Sequence, residues 1–125
     1  MPQFSRVSKK RLSECDPKLQ PLFNEVIKEY DCAILCGYRG EKEQNEAFAN
    51  GFSKVKFPDS RHNKKPSTAV DVVPIVNSRI DWSNIQAFKD FANHVFAVAE
   101  KLDIEIEWGG NWHTIKDYPH FQLKE

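Results

Sequence analysis

Asp59-Ser-Arg-His62-Asn-Lys-Lys-Pro-Ser-Thr-Ala-Val-Asp71 is the stretch that decides how this chain is read, together with Asp117-Tyr-Pro-His120 near the C-terminus. Its second half predicts a strand over Thr68 to Val76. Ala69, Asp71, Val73 and Ile75 would share one face, and Val70, Val72 and Val76 the other. Pro74 makes the C-terminal half of that strand an edge or an ending. Its first half belongs to a long loop, Phe52 to Ser67, where lysines, Pro58 and Pro66 allow no period. Loops of such length inside compact domains are often functional. Asp71 stands out because a carboxylate among Val and Ala residues requires compensation. A metal ion would supply it, and so would a structural bond to backbone or to an Arg. His62 in the loop, Asp71 in the strand and His120 at a later strand start are ligand types that suit Zn²⁺. Two neutral imidazoles and one carboxylate fill three corners of a tetrahedron and leave the fourth for water. An open fourth position marks a catalytic rather than a structural site, so the residues point to zinc-assisted hydrolysis.

Asp117 requires a bend to join them. Residues three apart on a regular strand face opposite sides, so Asp117 and His120 share a cleft only if the chain turns at Tyr118-Pro119. Pro119 favours such a turn. Asp117 would then sit just outside the metal shell and carry protons as a general base; otherwise it is a turn Asp capping its own backbone. Arg39, in the turn Gly37-Tyr38-Arg39-Gly40, could bind a substrate carboxylate or support a developing oxyanion, or pair at the surface with Glu41 or Glu43. His94, on a helix beside an apolar stripe, and His113, near Trp112, compete for the metal; His113 is the serious rival.

Around these residues the periodicities alternate between helix and strand. Asp16-Pro17 predicts a helix start, followed by a stripe of Leu19, Leu22, Phe23, Val26, Ile27 and Tyr30. Cys32 to Cys36 reads as a buried strand. Glu41 to Asn50 reads as a short helix that Gly51 ends. Asp81 to Leu102 is the longest helix. Ile104, Ile106 and Trp108 alternate with Glu105 and Glu107 as a half-buried strand, and His120 to Leu123 is a last short one. The expected fold is α+β: a single domain over residues 1–125, with a small, mostly antiparallel sheet packed against about three helices.

Composition narrows the function classes. Lys plus Arg and Asp plus Glu each number 18, so the formal charge is zero and no global field draws the chain to nucleic acid or an anionic membrane. The basic start, Arg6 to Arg11, reads as local and solvated. No apolar run approaches the ~20 residues of a membrane helix, and the N-terminus lacks the apolar core of a secretory signal. Stable membrane insertion and self-export are therefore not expected. Cys15, Cys32 and Cys36 are an odd count that fits a reducing compartment. Along a regular strand Cys32 and Cys36 would lie ~13 Å apart, too far for a disulfide or one shared zinc. Both read as small buried hydrophobes.

The ordered motifs resemble those of zinc peptidases of the D-alanyl-D-alanine carboxypeptidase and hedgehog-like superfamily, closest to small bacteriophage L-alanyl-D-glutamate endopeptidase endolysins. The matching residues are Ser60-Arg-His62, Ala69-Val-Asp71, Trp108-Gly-Gly-Asn-Trp112 and Asp117-Tyr-Pro-His120-Phe121. Ser8 to Leu22 resembles the family's opening, and Cys36-Gly-Tyr-Arg39 with Gln44 resembles the region around its substrate-binding Arg. The resemblance covers nearly the whole chain. It implies that His62, Asp71 and His120 bind Zn²⁺, that Asp117 is the general base, and that Arg39 contacts substrate or the transition state. Gln44, Ser60 and Trp112 would help bind a peptidoglycan stem peptide. Two departures are visible: His62 and Asp71 are nine apart where the family spacing is seven with a Gly between, and Asn111 replaces an Asp. The expected protein is a monomeric endolysin without a nucleic-acid partner. It would accumulate in the host cytoplasm and reach the wall once the membrane is permeabilised. A D,D-carboxypeptidase of the same fold and a catalytically silent zinc-binding wall domain are the rival readings.

Overall fold

The computed structural model of the chain describes residues 2–113 and 116–124. Four strands form one sheet: β1 (Cys32–Cys36), β2 (Ala69–Pro74), β3 (Ile106–Trp108) and β4 (His120–Leu123). Their order is β1-β2-β4-β3, and each neighbouring pair is antiparallel. Four α-helices accompany it: α1 (Arg6–Ser13), α2 (Leu19–Glu29), α3 (Glu41–Ala49) and α4 (Ile85–Lys101). The expected α+β architecture is therefore present, with one helix more than the sequence suggested.

That extra helix is α1, and Arg6 to Arg11 is not simply a solvated basic start. Ser5 caps it by accepting from Ser8 N at 3.1 Å. Buried Ser8 then accepts from Ile34 N at 3.0 Å, and Arg11 donates to Ile34 O at 3.1 Å. These bonds satisfy backbone groups of edge strand β1 that, among the described residues, no further strand pairs, a requirement that periodicity alone does not reveal.

One face of the sheet carries Cys32, Ile34, Val70, Val72, Ile106, Trp108, Phe121 and Leu123 into the main core. The apolar stripes of α2 (Leu22, Phe23, Val26) and α4 (Phe91, Val95, Ala99) close over it. Phe121 lies at its centre, edge-on to Phe23 and Phe91 and stacked on Trp108. The register puts Asp71 opposite His120, Ala69 opposite Gln122 and Gln122 opposite Glu107. These residues occupy the other face, as the alternation around Asp71 predicts. The strand ends at Pro74.

The helix ends follow their local chemistry. Asp16 accepts from Lys18 N and opens the turn into α2. α4 begins at Ile85 rather than Asp81, because Asn84 caps it by accepting from Ala87 N while Asp81 binds Ser83 in a separate turn. Gly51 (φ 79°) takes the left-handed conformation that ends α3.

Candidate metal centre

Three segments bring the expected ligands together on the second face of the sheet. His62 lies in a short 3₁₀ turn, Arg61–Asn63. Ser60 accepts from His62 N at 3.2 Å, and Asn63 Oδ1 accepts from Ser60 N at 2.9 Å. Asn63 also donates to Arg39 O, and Arg39 N donates to His62 O, each at 2.8 Å. The loop that carries His62 is thus stitched to the turn after β1, and the longer spacer to Asp71 still lets the two residues converge. His62 Nε2 lies 3.3 Å from Asp71 Oδ1, and His120 Nδ1 lies 3.4 Å from the same oxygen. For metal–donor bonds of about 2.0–2.1 Å, the edge of a tetrahedron is roughly 3.3 Å, so both distances suit donors of one ion.

The hydrogen bonds fix which nitrogen of each ring is free. His62 Nδ1 faces Gly37 O at 2.8 Å. A carbonyl only accepts, so Nδ1 carries the proton and Nε2 presents its lone pair. For His120 two successive hydrogen bonds set the tautomer. Glu107 accepts from Gln122 Nε2 at 3.2 Å, which turns Gln122 Oε1 toward His120 Nε2 at 2.8 Å. His120 Nε2 therefore donates, and the lone pair of Nδ1 is left facing Asp71. Neither Gln122 nor Glu107 was singled out from the sequence. The i+2 spacing of His120 and Gln122 marks a shared face, but only the β3–β4 register brings Glu107 beside them.

His62 is 3% exposed, yet its Nε2 has no hydrogen-bond partner, and neither does the buried Asp71 Oδ1. A buried polar atom left unpaired costs about 1–3 kcal/mol. A cation between them removes that cost, and an N/O donor set of this kind suits zinc. Without an ion the pair polarises itself. Burial pushes the His62 pKa down, but the Asp71 carboxylate overrides this and raises it to about 10. Burial pushes Asp71 up, while His62 and then His120 hold it below the usual carboxylate range.

Arg39 approaches the outer oxygen of the same carboxylate, with its guanidinium 3.5 Å from Asp71 Oδ2. It also donates to Gln44 Oε1 at 3.1 Å. Its partners are thus Asp71 and Gln44, not Glu41 or Glu43. Gln44, expected to help bind substrate, is fully buried and donates to Ser53 Oγ and Val55 O at 2.8 Å each. Gln44 braces Arg39 and the following loop from behind and has no surface on which to meet a substrate. Ser60 likewise uses its hydroxyl to shape the His62 turn. Trp112 remains at the cleft, half-buried, with its ring 5.0 Å from that of His120.

The bend at Asp117-Tyr-Pro-His120 is present. His120 N donates to Asp117 O at 3.1 Å, and Trp108 Nε1 donates to Tyr118 O at 2.7 Å. Gly109 accepts from Asp117 N at 3.0 Å, and a Cβ on Gly109 would collide with the Asp117 carbonyl. The turn sets Asp117 Oδ2 3.9 Å from His120 Nδ1, with the Asp117 side chain 39% exposed. Burial and then the Asp71 charge raise the Asp117 pKa, against the opposing pull of His120, His62 and Arg39. Of the rival ligands, His113 is exposed and His94 packs beside the Tyr30 ring. Neither joins a donor cluster among the described residues. Those clusters are Asp71-Asp117-His120 and, unexpectedly, Cys36-His62-Asp71, both built on Asp71.

A family model described as phage L-alanyl-D-glutamate peptidase matches residues 1–124. The chain belongs to that peptidase family. It is 29% identical over 124 residues to the L-alanyl-D-glutamate peptidase of Escherichia phage T5, covering 98% of this chain and 89% of that one. It is also 30% identical over 109 residues to the peptidoglycan L-alanyl-D-glutamate endopeptidase CwlK of Bacillus subtilis strain 168, covering 77% and 62% respectively. In three dimensions this peptidase is similar to the crystal structure of the Serratia marcescens L-Ala D-Glu endopeptidase ChiX. The TM-score is 0.84 at 29% identity, with 98% of this chain and 90% of that one covered. Among the described residues of the peptidase, no helix is long and apolar enough to cross a membrane.

Proposed function

We propose that this peptidase cuts the L-alanyl-D-glutamate bond of the peptidoglycan stem peptide with one Zn²⁺ held by His62, Asp71 and His120. The observation that carries the reading is the convergence of His62 Nε2 and His120 Nδ1 on Asp71 Oδ1, at 3.3 and 3.4 Å, with Asp117 beside them. When bound, zinc polarises a scissile carbonyl and lowers the pKa of water to about 7.

The chain's own residues supply the rest. Asp117 Oδ2 takes a proton from the attacking water and passes it to the leaving amine; its raised pKa favours the first of these transfers. Gly37 O and Gln122 hold the two imidazoles in the ligating tautomers. Arg39 steadies Asp71 and lies where it can meet a substrate carboxylate or the developing oxyanion. Trp112 offers an apolar wall beside His120. In this reading the protein acts as a monomer on the cell wall after the membrane is breached and needs no nucleic acid.

Digestion of purified peptidoglycan, followed by mass spectrometry of the fragments, tests the assignment. New N-terminal glutamate, lost with a chelator and restored by Zn²⁺, is expected. Release of terminal alanine alone would transfer the activity to the D,D-carboxypeptidase class. Zinc binding with no cleavage at all would leave a silent wall-binding domain.

A further inference from the structure

The ladder between β1 and β2 slips once. Ile34 pairs with Val72, but Cys36 rather than Leu35 pairs with Asp71. In a regular strand Cys36 would follow Ile34 onto the core face. The bulge re-aims it onto the face of Asp71, where directly opposed side chains start about 4.5–5.5 Å apart at Cβ. The result is a cluster in which Cys36 Sγ, a His62 ring nitrogen and an Asp71 carboxylate oxygen all lie within 4.8 Å of one another. Cys36 is half-buried, whereas Cys15 and Cys32 are 1% and 3% exposed inside the core. Two residues of this cluster, His62 and Asp71, also carry the orphaned atoms of the site, Nε2 and Oδ1.

We propose that this cluster is a second donor set, selective for thiophilic divalent cations. It rests on the reading that His62 and Asp71 are metal donors, and it adds Cys36 in place of His120. Soft thiolate sulfur favours soft ions, whereas imidazole and carboxylate alone do not discriminate in their favour. Binding forms the sulfur–metal bond and releases the thiol proton to solvent. Thiolate and carboxylate together neutralise a divalent charge, while two imidazoles and one carboxylate leave a net positive centre. An ion in the Cys36 set is therefore a weaker Lewis acid, and it withdraws His62 and Asp71 from the hydrolytic set. Thiophilic ions consequently compete with zinc and silence the peptidase.

Cd²⁺ is a direct probe, because thiolate-to-cadmium charge transfer absorbs in the ultraviolet. The zinc-free full chain, its Cys36→Ser variant and its His120→Ala variant would each be titrated with Cd²⁺ and, separately, with Zn²⁺, after circular dichroism has matched their folds. The wild type should develop the band at one equivalent. Cys36→Ser should lose it, with Cd²⁺ affinity falling roughly tenfold or more and Zn²⁺ affinity falling much less. His120→Ala should keep the band while losing Zn²⁺ affinity, an outcome that a merely structural Cys36 does not produce. A wild type that binds Zn²⁺ but shows no band overturns the second donor set and leaves the hydrolytic reading intact. A band that survives Cys36→Ser also overturns it, by tracing the sulfur to Cys15 or Cys32. A wild type that binds neither ion removes the metal centre and this inference with it.

Discussion

On one face of β2, Val70 and Val72 are fully buried in the main core; on the other, Asp71 one residue away faces two histidines and an arginine. The same contrast runs through β4, where Phe121 fills the core while His120 and Gln122 serve the site. A strand alternates its faces residue by residue, so four strands suffice to build both a scaffold and a reactive surface. The core face tolerates small errors in partner identity, because apolar contact is non-directional. The site face does not, because each donor must meet a particular acceptor. Substitutions on the two faces should therefore fail differently.

The largest effect is expected at Asp117. Asp117→Ala should lower kcat by about 10²–10⁴ while zinc content and thermal midpoint stay near wild type. Loss of zinc in parallel would move Asp117 into the metal shell, and unchanged kcat would remove it from proton transfer. On the core face, Phe121→Ala should cost about 3–5 kcal/mol of stability, read by urea unfolding of the zinc-free protein. Phe121 is fully buried against three aromatic rings. A cost below that of an ordinary surface change would mean that the core repacks around the gap.

These two faces also divide what the sequence made legible. Alternation around Asp71 assigned both faces of β2 correctly, and the apolar stripes of α2 and α4 marked the core. Pro119 allowed a bend before His120 without requiring it, and left open whether Asp117 joins the cleft or caps its own turn. Three features were hidden because they depend on pairing rather than on local pattern. Docking of α1 depends on the unpaired backbone of Ile34. Support of His120 by Gln122 and Glu107 depends on the β3–β4 register. Cys36 reads as an inert core cysteine until the one-residue slip at Leu35 turns it toward Asp71. Gln44 depends on the path of the chain as well: its place after Arg39 suggested substrate contact, and α3 buries it behind Arg39.

The Gln122 relay sharpens the comparison, since it lies on the site face without touching the proposed metal. Gln122→Leu removes the acceptor that holds His120 in its ligating tautomer. Zn²⁺ affinity should fall about 10–100-fold, measured by competition with a chromophoric chelator, with a smaller loss of stability than Phe121→Ala. Glu107→Gln should weaken Zn²⁺ less, because an amide oxygen can still accept from Gln122. Equal effects from both would mean that charge near the centre, rather than tautomer control, sets the affinity.

The smallest expected effect is a slope with pH, and it separates the faces again, since on the apolar face only the buried thiols Cys15 and Cys32 titrate abnormally, and only above about pH 9. In the metal-free protein, Asp71 raises the His62 pKa from 6.5 to about 10 despite burial. A group whose pKa is raised on folding contributes stability that is fully present below its unfolded value and is lost as pH climbs through its folded value. The His62–Asp71 pair should thus stabilise the metal-free protein fully between about pH 3.8 and pH 6.5, and lose its contribution toward about pH 10 and, as Asp71 protonates, in acid. Zinc reverses the trend, because the ion must displace the His62 proton and so binds better as pH rises. Calorimetry of chelated and zinc-replete protein across this window should show a thermal gap that widens with pH. His62→Gln should flatten the slope of the chelated protein relative to wild type. A wild-type slope unchanged by that substitution would mean that another group on the site face carries the proton.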